Sequence, residues 1–123
     1  MCLFCDWVSQ PTRFLWENEL AFAVWDGFPV TQGHTLILPK RHIETLFEAT
    51  DAELLALGEG IRAMKTQLDA LYHPAGYNVG NNNGAAAGQT IMHLHVHLIP
   101  RYLGDVPLPR GGIRNILPGK IPY

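Results

Sequence analysis

Apolar and polar residues along this 123-residue chain follow three successive patterns: short apolar runs, one long helical stripe, and one strict alternation. Arg13 to Trp16 makes the first strand candidate, followed by a polar turn at Glu17-Asn18-Glu19. Leu20 to Trp25 is apolar and aromatic and reads as a second strand. Asp26-Gly27-Phe28-Pro29 breaks it, Thr31-Gln32-Gly33 turns the chain, and His34 to Pro39 reads as a third. Pro39 ends that strand, because proline cannot donate to a ladder.

Thr50-Asp51-Ala52-Glu53 fits the S/T-x-x-E capping box, in which each side chain satisfies an orphan N–H at a helix start. Leu54, Leu57, Ile61, Met64, Leu68 and Leu71 then recur at helical spacing as one stripe for packing on a sheet. Gly58 and Gly60 each cost that helix up to about 1 kcal/mol relative to Ala, a cost that close approach to a sheet would explain. Pro74 and Gly76 stop it. Tyr77 to Asn81 is a fourth strand candidate and Met92 to Ile99 the fifth and clearest. Three strands, a helix and two strands with mostly short connections imply antiparallel pairing and an α+β class. Residues 1–123 read as one domain, with 101–123, rich in Gly and Pro, as an ordered C-terminal extension lying on it.

Composition narrows the function. Hydrophobic residues make up 47% and charged residues only 16%, which excludes long-range disorder. A formal net charge of −2 is unlike a domain built to track nucleic-acid backbone. No apolar run approaches the ~18 residues of a membrane helix, and the start MCLFCDWV does not read as a secretory signal. Two cysteines at C-x-x-C spacing suggest metal or redox chemistry in a reducing compartment, not a disulfide framework; the expected location is cytoplasmic.

The alternation MHLHVHLIP carries the chemistry. On a strand, His93, His95 and His97 share one face and Leu94, Val96 and Leu98 the other. Successive histidines then lie about 6.6 Å apart. Such a row suits metal binding through paired imidazoles. It equally suits nucleophilic catalysis, in which one ring nitrogen is held by a backbone carbonyl and the other attacks phosphorus. Ahead of it, Gly84, Gly88 and the alanines between them let backbone N–H groups approach an anion, Asn81, Asn82 and Asn83 supply amides, and Gln89-Thr90 lead into the row. An anion loop feeding a nucleophilic histidine points to phosphoryl or nucleotidyl transfer.

The segment H-L-H-V-H-L-I resembles the signature of the histidine triad (HIT) superfamily, and D-G-F-P-V-T-Q-G-H-T-L-I-L-P-K-R-H and G-Y-N-V-G-N-N-N-G-A-A-A-G-Q-T resemble its strand-turn and phosphate-loop segments. The tail G-D-V-P-L-P-R-G-G-I-R-N-I-L-P-G-K resembles a bacterial-type subset. The resemblance implies a HIT-like fold: a five-stranded antiparallel sheet with one long and one short helix, working as a homodimer. It implies a hydrolase or transferase attacking the α-phosphate of dinucleoside polyphosphates or related nucleotidyl compounds through a covalent nucleotidyl-histidine. His95 matches the nucleophile, and His97 the histidine at the scissile phosphate and leaving group. Gln89 and Thr90 match polar phosphate or leaving-group contacts, Asn82 an asparagine near the phosphate, Asp26 the acidic residue on the ribose, and His34 a fourth histidine supporting the triad. Gly88 belongs to the nucleotide-binding loop. Phe4, Trp7, Phe22 and Phe28 are candidates for the base pocket.

Cys2-x-x-Cys5 has the spacing of half a tetrahedral zinc site. His42 and His93 would complete it, as in some HIT-like proteins, giving a structural Zn²⁺ that pins the N-terminus. Arg101, Arg110, Arg114 and Lys120 follow the histidine strand, and Arg forks suit the distal phosphates of a polyphosphate. Two other functions stay open at this point: a nucleotide-binding module with little turnover, and a metal-dependent hydrolase with the ion on His93 and His95.

Overall fold

The computed structural model describes residues 2–120. A short helix, α1 (Leu3–Val8), is followed by a 3₁₀ turn at Pro11–Arg13 and by strands β1 (Trp16–Glu17), β2 (Ala21–Trp25) and β3 (Thr35–Pro39). The long helix α2 (Asp51–Tyr72) precedes β4 (Gly76–Gly80) and β5 (Val96–Arg101), and 3₁₀ turns at Ala85–Ala87 and Gly112–Ile116 lie in the later loops. The five strands form one antiparallel sheet in the order β1-β2-β3-β5-β4. The expected α+β class and sheet are those observed.

Sequence and core agree because β2 and β3 are covered on both faces, which leaves Thr35 as the one polar residue in them. Ala21, Ala23 and Ile37 meet Leu57, Met64 and Leu68 of α2, together with Leu94 and Leu98. Phe22, Val24, Leu36 and Leu38 face the other way and pack with Phe4 of α1. β5 alternates buried and half-buried along its length, so Leu98 faces α2 and His97 faces away from it.

Several boundaries differ from expectation. Pro11 starts a 3₁₀ turn where Arg13 was expected to open a strand, so β1 begins at Trp16. The last strand begins at Val96, not Met92, so His93 and His95 sit in the irregular lead-in and only His97 lies on the strand proper. His93 is fully buried, yet the rings keep to one side: those of His93 and His95 meet Phe4, those of His95 and His97 meet each other, and Leu94 and Leu98 pack in the cluster with α2. The capping box forms as read, with Thr50 Oγ1 accepting from Glu53 N–H and Glu53 Oε1 accepting from Thr50 N–H. The buried stripe of α2 is Glu53, Ala56, Leu57, Gly60, Met64 and Leu68, while Leu54 and Leu71 are exposed. Gly60 explains the shift. A Cβ there would stand 2.7 Å from Trp16 and 2.9 Å from Ile37, so the helix crosses the sheet at this point, whereas nothing lies within 4 Å of a Cβ at Gly58. His73, in the left-handed conformation, closes the helix ahead of Pro74.

Candidate active site

Two chemically different clusters grow from one stretch of chain. The first is built by α1, by the link between β3 and α2, and by His93. Cys2 caps α1, its Sγ accepting from Cys5 N–H. His42 is carried by the link, which Arg41 ties to the start of α2 through a two-pronged contact with Glu53, 2.7 and 3.1 Å. That guanidinium and the Thr50 hydrogen bonds hold buried Glu53 down at about 2. Cys5 Sγ lies 3.1 Å from His42 Nδ1, and both sulfurs lie 3.5 Å from His93 Nδ1. His93 Nε2–H donates to the Pro39 carbonyl at 2.9 Å, which leaves Nδ1 as the lone-pair nitrogen facing the thiols. The four donor atoms lie within 4.8 Å of one another, and both cysteines are free. Two sulfurs and two imidazoles so placed can hold a metal ion. Burial and the neighbouring Cys2 push the Cys5 thiol up, and burial pushes His93 down, so neutral imidazole is already the stable form of that ligand.

The second cluster belongs to His95, His97, His34 and Asp26. His95 Nδ1–H donates to the His93 carbonyl at 2.8 Å, leaving its Nε2 with a free lone pair. His34 Nδ1 accepts from Val30 N–H at 3.1 Å, so its proton is on Nε2. That Nε2 lies 2.9 Å from His97 Nδ1 and 3.3 Å from Asp26 Oδ2. His97 Nδ1 must then accept, and neutral His97 carries its proton on Nε2. Asp26 is itself fixed by a hydrogen bond from Phe28 N–H to its other oxygen. Burial first, and the neighbouring imidazoles of His95 and His34 next, hold His97 down to about 4. Burial lowers His34 as well, against the pull of Asp26. His95 and His97 thus present an imidazole lone pair beside an N–H donor.

His95 and His97 both line a cavity of about 320 Å³. Leu3, Phe4 and Trp7 of α1 form one wall with Ile91, Leu36 and Phe28, while Asp26, Asn82, Gly88 and Thr90 supply its polar rim. The glycines expected to open an anion loop do take positive φ, 94° at Gly84 and 95° at Gly88, on either side of the 3₁₀ turn. Beyond His97 a second groove of about 830 Å³ runs to the C-terminal tail, lined by apolar Val30, Ile99, Ile113, Ile116 and Leu117 and by Asn78, Asn81 and Asn82. Among the described residues lining it there is no Lys or Arg.

The structure therefore gathers Cys2, Cys5, His42 and His93 in one cluster and Asp26, Asn82, Gly88, Thr90, His95 and His97 around one cavity, with His34 behind. Other sequence candidates lie elsewhere, Arg101 and Lys120 among them. Gln89 is buried and its amide is engaged inside the protein: Oε1 accepts from Gly84 N–H, and Nε2 donates to the carbonyls of Glu44 and Ile91. It braces the loop and does not line the cavity. Phe22 is a core residue, fully buried and stacked on Phe14 at 4.6 Å. Arg110 and Arg114 are not among the residues lining either space; the tail contributes Ile113, Ile116 and Leu117 instead. Leu3, Ile91 and Leu36 complete the apolar wall and were not anticipated.

Known proteins match this arrangement. Residues 8–104 match the HIT domain family model. A HIT-like protein of Methanocaldococcus jannaschii is 39% identical over 94% of this chain and 92% of its own. The crystal structure of a HIT family protein from Bacillus anthracis superposes with a TM-score of 0.78 at 36% identity, covering 85% of this chain and 75% of that one. A zinc-bound histidine triad family protein of Mycobacterium smegmatis gives 0.76 at 32%, covering 85% and 77%. Two relatives have reaction names. An adenylylsulfatase of Arabidopsis thaliana is 34% identical over 81% of this chain, and an asymmetrical bis(5'-nucleosyl)-tetraphosphatase of Schizosaccharomyces pombe 31% over 76%. This chain spans 52% of each.

Proposed function

The chain belongs to the HIT domain family, and from that premise we propose that it hydrolyses or transfers nucleotides at the α-phosphate of nucleotidyl anhydrides, dinucleoside polyphosphates among them. The observation that carries this reading is the opposed state of two neighbouring imidazoles: His95 with its lone pair on Nε2, and His97 neutral with its proton on Nε2, both on one cavity. In the first step His95 Nε2 forms a bond to the α-phosphorus and the leaving group departs with the electron pair of its P–O bond. The His93 carbonyl steadies the resulting imidazolium through Nδ1–H. His97 N–H, Thr90 and the loop amides around Gly88 stabilise charge on the phosphoryl oxygens, and such oriented donors usually contribute most to the rate. In the second step water attacks phosphorus, its proton passes to solvent, and His95 leaves as neutral imidazole.

Asp26 accepts from the ribose hydroxyls, and Phe4, Trp7 and Phe28 hold the base. The reaction names of the Arabidopsis and Schizosaccharomyces relatives both denote cleavage of a nucleotidyl anhydride, which supports this substrate class. Cys2, Cys5, His42 and His93 would hold Zn²⁺, since two thiolates and two imidazoles suit its tetrahedral preference. When bound it supplies cross-linking of chain segments and no Lewis acidity at phosphorus, because all four ligands come from protein.

The working form is a cytoplasmic homodimer. β4 lies at the sheet's edge and Leu55 of α2 is exposed, and a second copy would cover both; sedimentation equilibrium at a dimer mass is the expected result. No helix among the described residues is long and apolar enough to cross a membrane.

Product analysis with diadenosine tetraphosphate tests the function. Wild type should give AMP and ATP, and His95→Asn should give neither. Wild-type rates in His95→Asn would eliminate the covalent route. AMP binding without turnover of this substrate or of adenosine phosphoramidate would establish a binding module instead.

A further inference from the structure

The short helix α1 faces two ways. Cys2 and Cys5 look toward His42 and His93, while Leu3, Phe4 and Trp7 form a wall of the cavity that holds His95. Six residues are far too few for a helix to persist by itself, since isolated helices below roughly 12–15 residues are marginal in water. Its position depends on what ties it down. Phe4 anchors it to Phe22, Val24, Leu36 and Leu38, and Arg13 lies over the Trp7 ring at 4.7 Å. The other tie is the sulfur-imidazole cluster.

Two physical routes join that cluster to the cavity. The Phe4 ring lies 6.0 Å from the His93 ring and 5.0 Å from the His95 ring, edge-on to both. His93 itself offers its Nδ1 to the thiols, donates from Nε2 to Pro39, and through its own carbonyl holds His95 Nδ1. An ion on His93 fixes the residue whose peptide orients the neighbouring imidazole, and an ion on Cys2 and Cys5 fixes the wall against which a base stacks.

We propose that metal binding at Cys2, Cys5, His42 and His93 and nucleotide binding in the adjacent cavity are thermodynamically linked, with α1 as the shared element. The inference rests on the nucleotide reading of the cavity. Linkage is reciprocal: whatever factor the metal adds to nucleotide affinity, the nucleotide adds to metal affinity. Couplings of this kind run to about 5–150-fold.

The test measures both directions on the full chain. Calorimetric titration with AMP is run on zinc-loaded protein and on protein stripped with a chelator, with folding checked by circular dichroism. Zn²⁺ affinity is then measured by competition with a chromophoric chelator, with and without saturating AMP. This arm starts from folded, zinc-loaded protein and approaches the linkage from the opposite direction, with circular dichroism at the end point confirming that the zinc-free chain stays folded. The expected result is a rise in the Kd for AMP of about fivefold or more on stripping, and tighter Zn²⁺ binding by the same factor with AMP present. Trp7→Ala, which leaves all four ligands in place, should keep Zn²⁺ and lose most of the coupling. Unchanged Zn²⁺ affinity in the presence of bound AMP overturns the linkage while leaving the nucleotide reading intact. Failure of AMP to bind zinc-loaded protein overturns the nucleotide reading, and the linkage with it.

Discussion

His93 and His95 are two residues apart and carry the same side chain, yet they point opposite nitrogens at opposite chemistry. His93 gives Nε2–H to Pro39 and keeps its Nδ1 lone pair for two sulfurs, in a fully buried setting. His95 gives Nδ1–H to the His93 carbonyl and keeps its Nε2 lone pair beside a cavity. In each case one backbone carbonyl decides the tautomer, and the tautomer decides what the residue can do. The metal side is a closed set of four donors. The His95 side leaves a ring nitrogen unused by the protein, as the proposed nucleophile requires.

If the two sides are separate in role, single substitutions should separate them. The largest effect is expected from His95→Asn. Turnover should fall by on the order of 10³-fold or more, since a group acting as the covalent nucleophile has no substitute. Metal content and AMP affinity should stay near wild type, and equal loss of metal in this variant would break the distinction.

The reverse substitution is Cys5→Ser. We expect it to lose Zn²⁺ and lower the Tm by about 8 °C, for a loss of ~2 kcal/mol in a chain of this size, while leaving reduced but measurable hydrolysis. Metal analysis showing equal zinc in variant and wild type would remove the site as drawn.

A finer test lies in the second layer of the reactive side. His34 touches no part of the cavity that holds His95, but its Nε2–H fixes the tautomer of His97. His34→Ala should reduce kcat by roughly 10- to 100-fold, comparable to or less than losing a whole donor. The loss should grow as the leaving group becomes poorer, because the His97 N–H stabilises developing charge. A loss equal for good and poor leaving groups would mark His34 as merely structural.

Much of this was legible in the chain because local rules carried it. The capping box of α2, the strand at 35–39 and the positive-φ glycines of the loop follow from short-range chemistry. The C-x-x-C pair and the histidine alternation were legible as residue types at spacings, whereas Asp26 and His34 joined them only through the family resemblance. What escaped the sequence is tertiary. Gln89 sits in the motif beside the histidines, but its partner at 2.7 Å is the carbonyl of Glu44, 45 residues away, and no local pattern announces that. Phe22 and Phe28 were both base-pocket candidates, and only the packing of Phe22 with Phe4 and Phe14 shows it to be core, whereas Phe28 is 92% exposed. Helix α1 could have been found: Leu3, Phe4, Trp7 and Val8 are spaced as one apolar face.

The smallest effect concerns protons, and it separates the sides by pH. His97 titrates near its ordinary 6.5 when unfolded and at about 4 when folded, chiefly because it is buried. His34 is lowered by burial too. The groups facing them are Asp26 at the end of β2 and His95 just ahead of β5. Between the two pKa values the unfolded chain binds more protons than the folded one, so stability rises with pH there. The contribution is complete above about 6.5 and is lost as pH falls through about 4. Thermal unfolding followed from pH 7 to pH 4 should therefore show a steeper decline for wild type than for His97→Asn. The cluster of Cys2, Cys5, His42 and His93 is common to both proteins and cancels in the difference between their curves. Parallel curves would mean that His97 carries its proton equally well folded and unfolded, and that the neutral N–H donor assigned to the reactive side is not held by burial at all.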